Sequence, residues 1–345
     1  MKLNHIPVVI IGGGPGGLVC AKVLAESGRR VLVVERKVTI GPKVCAGGIT
    51  WHGLISRVPG KWIEQSFHRQ RIVTRWQKGT VTEKQPIIAT VNRLHLGRYM
   101  LDQARNAGAE VLNGWQLRRI DGRTLEIENK KDRTRQTLTC EYLVGADGST
   151  SLVRRSLGLS SRRMGVGINY QIKGCHSEME WHLNSRFFKN GYGWIFPHRE
   201  TVSIGAYVDR QVMDARTLKE QLLRWAQSQG FDLSRERGRA EYINYDYRGW
   251  QFGQTFLVGD AAGLASGLTG EGIYPAIVSG EEVAQKILDP QYESTVMPQL
   301  IRNHHIHSRM VRLTSNPVLN TLTGEMMARA LLSGIINFKR LEMAP

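Results

Sequence analysis

Apolar residues fall into two kinds of pattern along this chain. Short unbroken runs, Val8 to Ile11, Val31 to Val34, Tyr142 to Val144 and Thr255 to Val258, read as strands buried on both faces of a parallel sheet. Helical stretches follow two of them, Leu18 to Ser27 (closed by Gly28) and Tyr274 to Leu288. Between 161 and 250 the chain turns strand-rich: Gly167 to Ile172, Glu178 to Leu183, Tyr192 to Phe196 and Val202 to Val208, then a helix from Thr217 to Gln229. Tyr192, Trp194 and Phe196 alternate, so they share one side of their strand. Residues 51–90, with Trp51, Trp62, Phe67 and Trp76, read as strands of a second domain. Residues 291–345 read as amphipathic helices with the apolar stripe Met326, Met327, Leu331, Leu332, Ile335, Ile336 and Phe338, expected to pack on the core, the alternatives being to cap a substrate tunnel or to touch lipid. The expected fold class is α/β. Residues 1–50, 93–160 and 250–290 form one discontinuous domain, 51–92 and 161–249 a second, sheet-based domain, and 291–345 a helical segment.

Three glycine-bearing phrases punctuate the strand ends. Gly12, Gly14 and Gly17 in Gly12-Gly13-Gly14-Pro15-Gly16-Gly17 have the G-x-G-x-x-G spacing. The first glycine permits a tight turn, the second brings backbone to a pyrophosphate, and the third lets helix and strand pack closely. The following helix start offers free N–H groups to the phosphates. Glu35 ends the next strand about 20 residues on, where a ribose 2′-OH is held. The second phrase, Gly145-Ala146-Asp147-Gly148, reads in isolation as a turn. The third runs from Gly259-Asp260 through Thr269-Gly270-Glu271-Gly272-Ile273 and places one acid at a strand tip among glycines that admit something flat and bulky.

Composition narrows the setting. The 345 residues suffice for two cores, and no run reaches the ~18 apolar residues of a membrane span. The glycine turn accounts for the N-terminus better than a signal peptide does. Cys20, Cys45, Cys140 and Cys175 lack C-x-x-C spacing, so neither disulfides nor zinc is implied, and a reducing cytoplasm fits. His304, His305 and His307 have no carboxylate or cysteine near them in sequence, so no metal is expected. Lys and Arg (47) exceed Asp and Glu (30) for a net charge of +17. Arg118, Arg119, Arg123, Lys130, Lys131, Arg133, Arg135, Arg154, Arg155, Arg162 and Arg163 cluster. Nucleic acid, an anionic membrane or a phosphorylated substrate would each suit that charge, and no nucleic-acid-binding signature is present.

The three phrases, in this order, resemble the flavoprotein group that includes p-hydroxybenzoate hydroxylase, flavin halogenases and geranylgeranyl reductases. The resemblance covers roughly residues 6 to 290 and implies a Rossmann-type, p-hydroxybenzoate hydroxylase-like FAD-binding domain. Two further phrases are similar to geranylgeranyl reductases: Pro42-Lys43-Val44-Cys45-Ala46-Gly47-Gly48 to their Lys-x-Cys-Gly-Gly loop, and Tyr192-Gly193-Trp194-Ile195-Phe196-Pro197 to their Tyr-x-Trp-x-Phe-Pro strand. Hydroxylases usually carry His and Gln where Gly263 and Glu271 stand, and halogenases carry a Trp-rich phrase from which Tyr192 and Phe196 depart. The chain departs from the reductases at Gly267 or Leu268, where they often have Pro, and at Gly97, where they have an acid.

The resemblance implies FAD contacts from Gly12, Gly14, Pro15, Gly16, Gly17, Glu35, Arg36, Arg93, Asp147, Gly259, Asp260, Gly270, Gly272 and Ile273. It implies an isoprenoid or other apolar small-molecule substrate beside Gly47, Gly48, Thr269, Tyr192, Trp194 and Phe196, the last three as an aromatic wall that is also catalytic, its faces stabilising positive charge on an alkene. Cys45 is the candidate proton donor, since a thiol is mostly protonated at neutral pH. The expected reaction is reduction of isolated C=C bonds of a prenyl chain in a lipid, quinone or pigment. The alternatives are an aromatic monooxygenase or halogenase, and a non-catalytic isoprenoid-binding flavoprotein. No second glycine fingerprint exists, so NAD(P)H binding transiently, or reduced ferredoxin as an acidic electron carrier, would supply electrons. A prenyl-lipid enzyme must reach a membrane, which makes an anionic membrane surface the expected partner and a cytoplasmic protein, peripheral on the inner face, the expected setting.

Overall fold

A computed structural model of the chain describes residues 5–43, 45–54 and 57–344, without the side chains of residues 317 and 318. Val44 of the expected Lys-x-Cys loop lies outside them. The fully apolar run of the first strand, His5–Ile11, is buried on both faces because the strand is central. It pairs in parallel with Val31–Glu35 on one side and with Arg135–Gly145 on the other. Glu110–Asn113 extends the sheet beyond the former, and Thr255–Leu257 beyond the latter. The chain thus builds outward in one direction and then returns to the other side of its first strand. At such a reversal the loops at the strand carboxyl ends diverge and leave a crevice. Gly12, Asp147 and Asp260 all sit there, each just past the end of a different strand. The helices Pro15–Glu26 and Ile273–Leu288 pack against each other over this sheet.

A second sheet has seven strands. Their order is Arg239–Asn244, Met164–Lys173, Thr201–Asp209, Tyr192–Pro197, Met179–Leu183, Arg69–Thr74 and Lys78–Thr82. One face is closed by the helix Ala215–Ser228, whose Leu218, Leu222 and Trp225 bury Ile168, Ile195 and Ile204. The opposite face presents Tyr192, Trp194 and Phe196 to the crevice, as the alternation predicts. Residues 51–90 contribute two strands to this sheet and two to a small three-stranded one, Gly48–Thr50, Ile88–Val91 and Ile63–Phe67.

Two helices, Val296–Thr314 and Pro317–Leu332, follow. Their stripe is only partly a core stripe. Leu331 and Phe338 are buried, but Met326 and Ile335 are exposed. Leu331 sits five positions beyond Met326, and that half-turn offset puts the two on opposite sides of the helix. No helix among the described residues is long and apolar enough to cross a membrane.

Candidate active site

Between the two sheets lies a cavity of about 540 Å³. Its first end is made of backbone. Gly12 has φ +111°, and a Cβ there would stand 2.2 Å from the carbonyl oxygen of Ala146. A Cβ on Gly17 would stand 2.1 Å from the carbonyl oxygen of Gly12, so Gly17 backs the loop and is not part of the lining. Gly12, Gly14, Pro15, Gly16, Glu35 and Arg36 line this end. Glu35 takes the Gly13 N–H at 2.7 Å and the Lys37 N–H at 2.8 Å, so its carboxylate also fixes the turn it faces.

Asp147 and Asp260 approach from the neighbouring strands. One Asp147 oxygen accepts the N–H groups of Leu152 (2.6 Å) and Val153 (3.3 Å), and the other is buried without a partner. Burial pushes its carboxyl above the usual range against the pull of those N–H groups. Asp260 accepts from Lys43 Nζ at 3.0 Å and from the Ser149 hydroxyl at 3.1 Å. The Asp260 carboxylate in turn holds the Lys43 ammonium above its ordinary value. Arg93 opens the helix Arg93–Asn106, capped by the Asn92 side chain, and lines the cavity. Its Nε and Nη1 are buried and have no partner. Gly97, where an acid was the expectation of kinship, abuts Gly41: a Cβ there would meet the Gly41 Cα at 2.2 Å.

The other end is made of side chains. Tyr192, Trp194 and Phe196 stack along their strand with ring centres 5.9 Å and 6.2 Å apart. Trp181 meets Tyr192 edge-on at 5.4 Å, and Phe338 and Leu341 close the wall. The Tyr192 hydroxyl donates to the Thr269 carbonyl, and burial holds this phenol well above its usual range. Tyr192 therefore secures the Thr269–Gly272 loop and has no free proton to offer. His304 and His307, buried and pushed down to about 4 by burial, brace the start of that loop through the Ala265 carbonyl (3.2 Å) and the Ser266 hydroxyl (2.8 Å).

Cys45 and Gly48 line the cavity between the two ends, but Gly47 does not. The Cys45 sulfur accepts the Gly47 N–H at 3.4 Å. A Cβ on Gly48 would stand 2.8 Å from the Phe196 ring, and one on Gly47 2.4 Å from the ring of His198. His198 bridges the Ala46 carbonyl (2.9 Å) and Glu64 (2.5 Å), tying the cysteine loop to the end of the aromatic strand. Glu271, Gly270, Gly272 and Ile273 also face the cavity. Glu271 accepts from the Thr50 hydroxyl at 3.1 Å and the Met343 N–H at 3.0 Å, and burial pushes its carboxyl up to about 7.

The cavity thus gathers every site residue expected from the sequence except Gly17 and Gly47, which stand behind its wall. Sequence reasoning missed the partners Lys43, Ser149, Trp181, Glu64 and His198. Lys43 was visible inside the cysteine-loop phrase. Glu64 and His198 are 134 residues apart and carry no local signal.

The profile of the FAD binding domain family matches residues 5–300. The chain belongs to that family. Among relatives, it is 28% identical to a digeranylgeranylglycerophospholipid reductase of Methanopyrus kandleri, over 82% of this chain and 77% of that one. It is 26% identical to the chloroplastic geranylgeranyl diphosphate reductase of Oryza sativa subsp. japonica, over 85% and 69%. In structure it is similar to a geranylgeranyl bacteriochlorophyll reductase-like protein of Thermoplasma acidophilum, with a TM-score of 0.72, 20% identity and coverage of 98% and 90%. This flavoprotein is an FAD-dependent oxidoreductase with the fold that the three glycine phrases imply. Its residues fit the cofactor. One end of the cavity combines a cradle of glycine backbone, the Arg93 guanidinium with two buried nitrogens that have no partner, and the Asp147 carboxyl with one such oxygen.

Proposed function

We propose that this flavoprotein reduces isolated C=C bonds of a prenyl chain carried by a lipid, quinone or pigment. One observation carries the reading: a single cavity joins a glycine cradle to an end walled by Trp181, Tyr192, Trp194, Phe196 and Phe338. The names of the relatives support it. Bound and reduced FAD supplies a hydride. The residues expected to hold it are the first glycine phrase, Glu35, Arg36, Arg93, Asp147, Gly259, Asp260, Gly270, Gly272 and Ile273. The aromatic wall lays the prenyl chain in one path and excludes water, and its faces favour positive charge on the reacting alkene. Placement matters because an isolated alkene has no carbonyl to stabilise developing charge.

The second carbon needs a proton. Cys45 stands at the junction of the two ends and is the proposed donor. Glu271, protonated over part of the neutral range, faces the same space and is the natural relay for replacing that proton. The proposal extends to the division of labour: 1–50, 93–160 and 250–290 hold the cofactor, 51–92 and 161–249 the substrate, and 291–345 closes the far end. It also puts the protein on the cytoplasmic face of a membrane, with electrons from NAD(P)H or reduced ferredoxin.

The test is anaerobic and independent of the donor. Protein reduced with dithionite receives a geranylgeranyl lipid or a menaquinone, and the visible flavin absorbance is followed with mass analysis of the lipid. Reoxidation with gain of two hydrogens is the expected result. Reoxidation only after air is admitted would overturn the proposal in favour of an oxygen-using enzyme or a binding protein.

A further inference from the structure

The helix Pro317–Leu332 has two unlike faces. Its Ala328 and Leu331 are buried with Trp181, Phe338 and Leu341, the residues that close the aromatic end of the cavity. On the other side Leu319, Leu322, Met326 and Arg329 follow at helical spacing, and all four are exposed, Met326 by 70%. An outward helix face is normally polar; this one carries two leucines and a methionine.

Trp76 is fixed beside it. Glu325, buried on the same helix, accepts the Trp76 N–H at 3.0 Å, the Thr74 hydroxyl at 2.6 Å and the Gln77 side-chain amide at 2.7 Å. The Trp76 ring nevertheless stands out of the molecule, 62% exposed, with the Arg75 guanidinium 5.9 Å from its centre. Two exposed basic residues belong to this surface, Arg329 on the same helix face and Arg75 beside Trp76, and the C-terminal segment as a whole is basic on its outside. From residue 294 to 344 all six Lys and Arg are exposed, while both acids, Glu325 and Glu342, are buried.

We propose that this face docks on an anionic phospholipid bilayer, with Leu322, Met326 and Trp76 entering the interface and the basic residues meeting the headgroups. An apolar helix face with basic residues at its edge, as Arg329 and Arg75 stand here, lies in the plane of the interface. Tryptophan settles at headgroup level, and each basic residue adds attraction to an anionic leaflet. A second copy of this chain is a poorer occupant, because a two-fold contact sets the same positive patch against itself. The docked face stands behind the aromatic end of the cavity by one helix thickness, ~10–12 Å. A chain dissolved in the bilayer would have a short route in; only that last step rests on the prenyl-reductase reading.

The experiment sediments the FAD-loaded protein with vesicles of phosphatidylcholine alone or mixed with phosphatidylglycerol. Wild type should pellet with the mixed vesicles and be released as salt screens the headgroups. Leu322→Glu combined with Met326→Glu should lower the bound fraction on the order of tenfold while keeping FAD. Leu322→Ser with Met326→Ser, a milder pair, should lower it less and guards against misfolding. Wild type left in the supernatant with mixed vesicles, or a Glu pair that pellets like wild type, overturns the proposal. A wild-type dimer that the Glu pair converts to monomer, with no vesicle binding, assigns the face to a second copy instead. Vesicle binding needs no turnover, so failure of alkene reduction leaves this test standing.

Discussion

At the glycine end of the cavity the walls are main chain; at the aromatic end they are side chains. The first end has almost no freedom. Gly12 faces the Ala146 carbonyl at a distance no side chain tolerates, and its φ is one that L-residues rarely adopt. The second end is a set of rings that meet at centroid distances between 5.4 and 6.2 Å. Rings can be exchanged for others of similar volume at modest cost. A site with one rigid end and one adjustable end keeps its cofactor while its substrate changes.

Four substitutions test that contrast, beginning with the most damaging. Gly12→Val should give a colourless protein destabilised by roughly 2–5 kcal/mol, from strain and overpacking together; flavin absorbance after purification and a urea midpoint report both. A yellow, stable Gly12→Val protein would break the comparison at its rigid end. Cys45→Ala should keep FAD and slow alkene reduction by about 10²-fold or more, the usual worth of a placed proton donor. Unchanged single-turnover oxidation of the reduced flavin by substrate would remove Cys45 from the chemistry. Phe196→Leu should also stay yellow and lose about tenfold in turnover of a long prenyl chain, less with a short one. Loss of FAD in this variant would show that the two ends are not separable.

Glu271→Gln sharpens the boundary between them. The Glu271 carboxyl is raised from 4.5 to about 7, so the folded state binds the proton more tightly than the unfolded one. The stability it contributes is complete below about pH 4.5 and is lost as pH rises through 7, at most about 3 kcal/mol. Urea denaturation of cofactor-free protein at pH 5 and pH 8 should therefore show a larger drop for wild type than for the variant. Equal drops would mean that the carboxyl is ionised throughout.

Legibility in the sequence followed the same division. The glycine end could be read because backbone geometry imposes residue types at fixed spacing, from Gly12 to Glu35. The alternation of Tyr192, Trp194 and Phe196 was equally readable, since strand pleat alone puts them on one side. Trp181 was not, because only the sheet order brings it to that wall; Phe338 was legible as apolar, but only the turn after the last helix brings it there. Of the apolar stripe of residues 326–338, expected on the core, Leu331 and Phe338 are buried, Met327, Leu332 and Ile336 half-buried, and Met326 and Ile335 exposed. Periodicity marks an apolar face, but Met326 shows that it does not say whether protein covers it. Lys43 and Asp260 show a further limit: each stands in a legible phrase, but their ion pair follows only from the fold.

That ion pair joins residues 217 apart, and the bond from Thr74 to Glu325 spans 251. Loops of this length close late and slowly. Cofactor uptake would then be among the last events on the folding pathway, because the cradle is incomplete until the strand before Asp260 has docked. The yellow colour would serve as a clock for folding. In a refolding experiment, secondary structure should recover first, and flavin fluorescence should be quenched only in the slowest phase.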